Sequence, residues 1–434
     1  MESLRQAYDH SGIQKAFLIP PNLVSLRSIW FEIYIDHPDS MCFIGQNTHS
    51  LPTKNVGERT MLERQDYEEF RKAVRRLAET KIQPHAADVD EKKRFPEEAL
   101  AAFKELQLIA LPFDESIGGQ SGDVLAQCIC LEEIARVCAT SSLTLMVIWA
   151  GLGPIASFGS PQLIEEVMEP AINGNTVASI CLTEIHGGSD VWGARTRAQY
   201  KDGQWVLNGQ KRYITNASRS DWYSVLARTG ENSFGVFAVH KSDPGLSFGK
   251  LESKMGVRGS PTADVIFEEC RVDDYRLLGD SKEGRQYITD SLAYTRPLIG
   301  AQALGIAQGA LDAAIKYVKE REVFGQQVAR FQMIRGTIGD LATEIEASRQ
   351  LLYRSCEAVE NKEPEARTLA SMAKLFCSNV AMKVATESVQ LHGGAGYLTD
   401  FPVERMMRDA KITQIYEGTS EIQKLIVAKA MLSD

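Results

Sequence analysis

Val177-Ala-Ser-Ile-Cys-Leu-Thr-Glu-Ile-His-Gly-Gly-Ser-Asp190 is where the pattern of the chain changes. Before it, apolar residues recur every three or four positions. From Val177 to Leu182 they run together, as in a strand buried on both faces. The run then breaks into Thr183-Glu184, a Gly187-Gly188 pair and Ser189-Asp190. Glycines at a strand end let backbone N–H groups approach a polar ligand closely. A plain glycine turn accounts for the stretch equally well when it is taken alone.

Downstream the period stays near two. Asp202-Gly203 and Asn208-Gly209 are hairpin signals flanking Gln204–Leu207. Tyr213–Thr215, Trp222–Ala227, Gly235–His240 and Asp264–Phe267 read as further short strands. Short strands with turns between them predict a small antiparallel barrel or sandwich over residues 176–283.

Upstream, residues 61–175 are helical in pattern. Phe70, Val74 and Leu77 share one face, Pro84 and Pro96 interrupt, and 123–150 and 161–173 read as further helices. After residue 283 the helical period returns. Leu304, Ala307, Leu311, Ala314 and Val318 are one stripe, and Ile334 to Leu352 a second. Residues 365–391 form a third and a last helix starts near Ser420. The expected fold is α+β and multidomain: an N-terminal α-helical domain (61–175), a middle β-barrel domain (176–283) and a C-terminal four-helix bundle (284–434). Residues 1–60 read as an extension that is expected to be disordered, and Met61 is an alternative natural start.

The chain has 434 residues, 44% hydrophobic and 24% charged, enough to bury a sizeable core. Its 48 basic and 57 acidic side chains give a net charge of −9, which disfavours nucleic acid as a partner. No stretch reads as a membrane span. The N-terminal region carries Glu2, Asp9, Glu32, Asp36 and Asp39, unlike a secretory or transit leader. A bacterial cytoplasmic location is expected, with the mitochondrial matrix as the eukaryotic alternative. The 8 cysteines are scattered without a CxxC pair, and the 7 histidines without HExxH. Reduced, buried thiols and no metal site are expected.

Three more segments carry chemistry. Tyr213-Ile-Thr-Asn216 places an aromatic ring and a hydroxyl on one strand, suited to a planar ligand, though strand packing explains it too. Gln390-Leu-His-Gly-Gly-Ala-Gly-Tyr397 is neither a P-loop nor a dinucleotide fingerprint; a glycine helix end suffices, with His392 packed. In Ile415-Tyr-Glu-Gly-Thr-Ser-Glu-Ile-Gln423, Ser420 and Gln423 fit a capping box, which sets Glu417 just before a helix N-terminus.

Together, in this order, the four segments resemble the acyl-CoA dehydrogenase family of flavoproteins over roughly residues 62–432. Leu111-Pro112, Gly118-Gly119, Met255-Gly-Val-Arg258, Thr295-Arg296-Pro297, Arg321-Glu-Val-Phe324-Gly325 and Arg408-Asp-Ala-Lys411 extend the likeness. The resemblance implies FAD as cofactor. Ile180, Leu182, Thr183, Gly188 and Ser189 match the first flavin segment, and Tyr213, Ile214 and Thr215 the second. Arg321, Phe324, Gln332, Gln390, Gly393 and Gly394 match FAD positions that neighbouring subunits share, which implies a homo-oligomer, a tetramer or else a dimer. Thr419 and Glu421 match FAD contacts at a helix start. Ser189, Tyr294, Thr295, Arg296 and Gly418 match the acyl-CoA side.

Glu417 matches the base of most members. A minority carry it at the position of Thr295, which is not acidic here. The implied reaction is α,β-dehydrogenation of an acyl-CoA thioester, of short, branched or aromatic chain, to a trans-2-enoyl-CoA. Glu417 takes the α-proton, flavin N5 takes the hydride, and an electron-transfer flavoprotein takes the electrons. One departure stands out. Members usually read Thr-Glu-Pro-x-Ala-Gly-Ser-Asp, where this chain has Ile185-His186-Gly187 in the loop. Two other readings compete: an oxygen-using oxidase-type relative, and a helical scaffold without flavin.

Overall fold

The computed structural model describes residues 61–433; the expectations for residues 1–60 lie outside these. Helices come first. They are α1 (Met61–Leu77), α2 (Ala86–Glu91), α3 (Glu97–Glu105), α4 (Val124–Ala135), α5 (Ala139–Phe158) and α6 (Pro161–Ile172). The single helix expected over 123–150 is two, because Cys138 is extended (φ −153°) and the chain doubles back, Ser142 donating to the Leu131 carbonyl. Asp123 and Ser160 cap α4 and α6 with their side chains.

Eight strands follow: β1 (Ala178–Cys181), β2 (Arg197–Lys201), β3 (Gln204–Thr215), β4 (Trp222–Arg228), β5 (Phe234–His240), β6 (Leu246–Phe248), β7 (Thr262–Asp273) and β8 (Leu277–Leu278). Their order is β6-β7-β3-β2-β4-β5-β8, with β1 beside β4. Neighbours are mainly antiparallel, but β1 runs parallel to β4. Tyr223, Val225, Phe237 and Phe267 form the core of this sheet.

Asp202-Gly203 does turn β2 into β3, but Asn208-Gly209 makes no hairpin. Strand β3 continues through it with a register shift against β7. The Asn208 amide bonds Glu269 on β7 in both directions, donating to its carboxylate and accepting its backbone N–H. A Cβ on Gly209 would lie 2.6 Å from Thr196 Oγ1. Asn208 therefore faces a bulge on β7, formed by Glu268 and Glu269, and Gly209 admits a close neighbour.

The C-terminal part holds α7 (Gly284–Glu320), α8 (Gln332–Glu360), α9 (Ala366–His392), α10 (Pro402–Ile412) and α11 (Ser420–Leu432). Helix α10 was not expected; Arg405, Arg408 and Lys411 mask its short apolar face. Glycines let helices touch other backbones. A Cβ on Gly305 of α7 would stand 2.2 Å from the Glu132 carbonyl of α4, and one on Gly151 of α5 would stand 2.5 Å from Ser179 N of β1.

The absence of a membrane-length stretch does not hold by length and composition. Ala139–Phe158 and Gly284–Glu320 are long and apolar enough to cross a bilayer. Some 78% of each apolar window is buried inside the protein, as in core helices of a folded domain. The seven described cysteines are buried free thiols.

Candidate active site

Glu417 lies in the turn between α10 and α11. Its backbone is left-handed (φ +54°), as is that of Gly418 (φ +91°). Two such residues in succession need outside fastening, since a glutamate rarely adopts this conformation. Gln423 provides part of it. Its Nε2 donates to the carbonyls of Glu417 (3.2 Å) and Gly418 (2.9 Å). The expected capping box is therefore shifted: Thr419, not Ser420, caps α11 by accepting from Ile422 N, and Gln423 grips the preceding turn. Lys374 of α9 fastens the other side, its Nζ donating to the Gly418 carbonyl at 2.7 Å.

The Glu417 carboxylate accepts a 2.9 Å hydrogen bond from Thr295 Oγ1 on α7. Two cations face it, Arg296 from α7 and Lys374 from α9. Burial dominates over all three and pushes its pKa above the ordinary 4.5. Burial also pulls Lys374 down to about 8, against the opposing charge of Glu417, and Arg296 down to about 10 with help from Arg367. The Arg296 Nε has no partner, and its Nη1 reaches only Ser371 Oγ at 3.4 Å. Among the described residues no protein group accepts the Glu417 backbone N–H. A carboxylate of raised proton affinity, beside an unused N–H donor, is the equipment for taking a proton next to a carbonyl.

Thr295, Arg296 and Gly418 thus gather at Glu417. Tyr294 does not: its hydroxyl turns to α4 and donates to Gln127 Oε1 at 2.7 Å. Thr183, Leu182 and Ile180 are half-buried at the end of β1, while Gly188 and Ser189 are exposed. Glu184 between them is buried and paired with Lys211 at 2.8 Å. It also accepts the backbone N–H groups of Arg195 and Thr196, at 2.6 and 3.0 Å, and so anchors the whole loop. Burial pushes the Glu184 carboxyl up, but the Lys211 ammonium and these donors outweigh it and hold it below the usual range. In the departure Ile185-His186-Gly187 the first two residues are exposed and Gly187 is half-buried, and His186 Nε2 stands 3.3 Å from Arg195 Nη1.

Tyr213 is exposed and left-handed (φ +58°), with the Arg212 guanidinium 4.7 Å from its ring centre. Ile214 points into the sheet core and Thr215 is half-buried. Arg321, Phe324, Gln332, Gln390, Gly393 and Gly394 are all exposed, Phe324 by 95%. Glu421 is exposed at the start of α11, its carboxyl lowered by its own backbone N–H and by Thr419. His392 is packed as expected, stacked on Tyr317 (4.4 Å between centroids) with Nδ1 2.7 Å from the Ser388 carbonyl.

Two working residues were missed in the sequence, Lys374 and Lys211, and Gln423 was read as a capping residue where it grips the 417–418 turn. For Lys374 the available signal was a lysine among Ala370, Ala373 and Cys377 on the inward face of α9; Lys211, between Gln210 and Arg212, gave none.

A helical–sheet–helical chain with a buried carboxylate just before a helix start defines the architecture. Residues 64–175, 179–270 and 282–432 match the acyl-CoA dehydrogenase N-terminal, middle and C-terminal domains. A probable acyl-CoA dehydrogenase of Mycobacterium tuberculosis is 46% identical over 372 residues, 85% of this chain and 96% of that one. The solved butyryl-CoA dehydrogenase of Megasphaera elsdenii superimposes with a TM-score of 0.81 at 35% identity, over 85% of this chain and 98% of that one. A solved chain described as the electron transferring flavoprotein of Acidaminococcus fermentans gives 0.83 at 36%, over 88% and 100%. The chain belongs to the acyl-CoA dehydrogenase family and is an oxidoreductase acting on acyl-CoA.

Proposed function

We propose that this protein catalyses FAD-dependent α,β-dehydrogenation of an acyl-CoA thioester to the trans-2-enoyl-CoA, with Glu417 as general base and an electron-transfer flavoprotein as electron acceptor. The observation that carries this is the Glu417 carboxylate, raised in proton affinity by burial and aimed by Thr295 Oγ1 at 2.9 Å. The unused Glu417 N–H is positioned to polarise the thioester carbonyl, which acidifies the α-carbon. Glu417 then removes the α-proton, Thr295 holds the carboxylate in place, and Gln423 and Lys374 hold the turn.

The residues present fit a flavin. Tyr213 offers an exposed ring, Thr183 and Thr215 offer hydroxyls, and a Cβ on Gly393 or Gly394 would meet nothing within 4 Å, which leaves backbone open to a ligand. Ile180, Leu182, Gly188, Ser189 and Ile214 would contribute backbone groups. FAD, when bound, supplies the acceptor for the β-hydrogen, which leaves as hydride. The exposed Arg321, Phe324, Gln332 and Gln390 suit a cofactor site completed by a second copy, in a homotetramer. The likeness to a chain described as an electron transferring flavoprotein supports the choice of acceptor.

The test is an anaerobic visible spectrum of the purified protein, titrated with short, branched and aromatic acyl-CoA thioesters. A flavin band that one thioester class bleaches is the expected result and names the substrate. A flavin that stays oxidised with every thioester, or a colourless protein, overturns the reading.

A further inference from the structure

Helix α9 turns Ala370, Ser371, Ala373, Lys374, Cys377 and Ser378 inward. All are small except the lysine, whose exposure is 0%. Burying an ammonium is costly unless its charge and its donors are both used. Its one hydrogen bond goes to the Gly418 carbonyl, the residue after Glu417, at 2.7 Å. Its charge faces Glu417 itself. That carbonyl is also gripped from α11 by Gln423 at 2.9 Å, so the left-handed turn is pinned from two helices.

We propose that Lys374 is a positioning residue for Glu417: its amine pins the 417–418 turn through the Gly418 carbonyl, and its positive charge sets how tightly Glu417 holds a proton. The proposal rests on Glu417 being the base.

The charged and titratable neighbours divide by element. From α7 come Arg296, a second cation, and Thr295, a neutral donor. From α11 comes Glu421, which acts on Lys374. Within the turn itself is the Tyr416 phenol. Arg367 of α9 acts on Arg296. Arg296 keeps its proton throughout the working range of pH. Lys374, drawn down to about 8, is the cation whose charge can change. A neutral amine still donates to the Gly418 carbonyl, so the clamp and the charge are separable functions of one side chain.

The experiment follows the Glu417 carboxyl directly, in the FAD-loaded protein without substrate. The protonated C=O stretch of Glu417 is isolated as the infrared difference between wild type and Glu417→Gln, and titrated with pH. Lys374→Met should raise the midpoint by about one pH unit or more, a tenfold gain in proton affinity. Lys374→Arg should restore it to within a few tenths. A midpoint unchanged by Lys374→Met overturns the proposal, as does an Arg variant displaced as far as the Met variant. Where Lys374→Met loses its flavin or its fold, Lys374→Gln replaces it, because glutamine keeps a donor for the carbonyl and lacks the charge. Equal midpoints for the Gln and Arg variants then overturn the proposal. The titration reads the carboxyl and not turnover. Normal dehydrogenation by Glu417→Gln would therefore sink the base assignment alone.

Discussion

Thr295 Oγ1 donates to Glu417 Oε2 at 2.9 Å, across 122 residues of chain. Thr295 lies on α7, two residues before a proline that the helix absorbs, and is 4% exposed. A hydroxyl donating to a carboxylate favours the ionised form, so this bond opposes the burial that raises Glu417. The balance leaves a carboxylate that binds protons more tightly than a free glutamate.

Removing the hydroxyl tips that balance. In Thr295→Val, Glu417 loses a bond to its charged form worth about 1.5–3 kcal/mol, so the acid limb of the kcat profile should move up by roughly one to two pH units. Thr295→Ser should leave the limb in place. A Val variant with the wild-type limb would show that the bond does not act on the reacting state.

Glu417→Gln keeps the size of the side chain and its bond from Thr295. It should fold, hold flavin and bind acyl-CoA, with dehydrogenation reduced roughly 10²–10⁴-fold. Single-turnover bleaching of the flavin is the readout. Because Glu417 must be ionised to act and is raised above 4.5, wild-type turnover should rise with pH through an ionisation above the ordinary glutamate range. That limb should be absent from the residual rate of the Gln variant.

The switch from period 3.6 to period 2 near Val177 and the apolar stripes on α7, α8 and α9 are local patterns, so the layers of the fold were legible. Asn208-Gly209 misled because the same dipeptide serves a hairpin turn or a continuous strand facing a bulge, and the choice depends on Glu269, 61 residues away. Glu417 was legible only through the resemblance that the four segments carry together, since its own motif reads alone as a solvated carboxylate before a helix. Its partners Thr295 and Lys374 come from two other helices, and no spacing rule connects them. Lys211 was illegible for the same reason, and Lys374 showed only as a lysine on a face of small residues: composition counts a lysine as surface, and only the fold supplies the carbonyl or carboxylate that makes burial tolerable.

Lys211 and Glu184 give that argument a second test. Lys211 is fully buried on β3 and bonds both Glu184 Oε1 and the Leu182 carbonyl, at 2.8 and 3.1 Å. Glu184→Ala leaves the ammonium without its counter-charge and should cost about 3–5 kcal/mol. Adding Lys211→Met should recover much of that stability, measured by urea denaturation. Flavin retention should not recover with it, because the backbone N–H groups of Arg195 and Thr196 still lack the carboxylate that shapes the 182–196 loop. A double variant that regains both would show that the loop holds its shape without Glu184.

Asp409 connects stability to pH. It is fully buried on α10, and its Oδ1 accepts the Val257 N–H at 2.6 Å, which holds the Met255–Arg258 loop in a left-handed turn (Val257 φ +42°). Burial raises its pKa from the ordinary 3.8 to about 6, against that hydrogen bond and the nearby arginines 405 and 408. Between those two values the folded chain carries a proton that the unfolded chain has lost. Stability from this group is therefore complete below about 4 and falls as pH rises through about 6. Asp409→Asn keeps an acceptor for Val257 without the ionisation, so its denaturation midpoint should lack this decline across pH 4–6. Asp409→Ala leaves the Val257 N–H buried and unpaired, and should lose about 1–3 kcal/mol at every pH in that range. If Asn and Ala variants prove equally stable, the hydrogen bond to Val257 contributes nothing. If wild type and Asn share one pH dependence, Asp409 does not change its charge there.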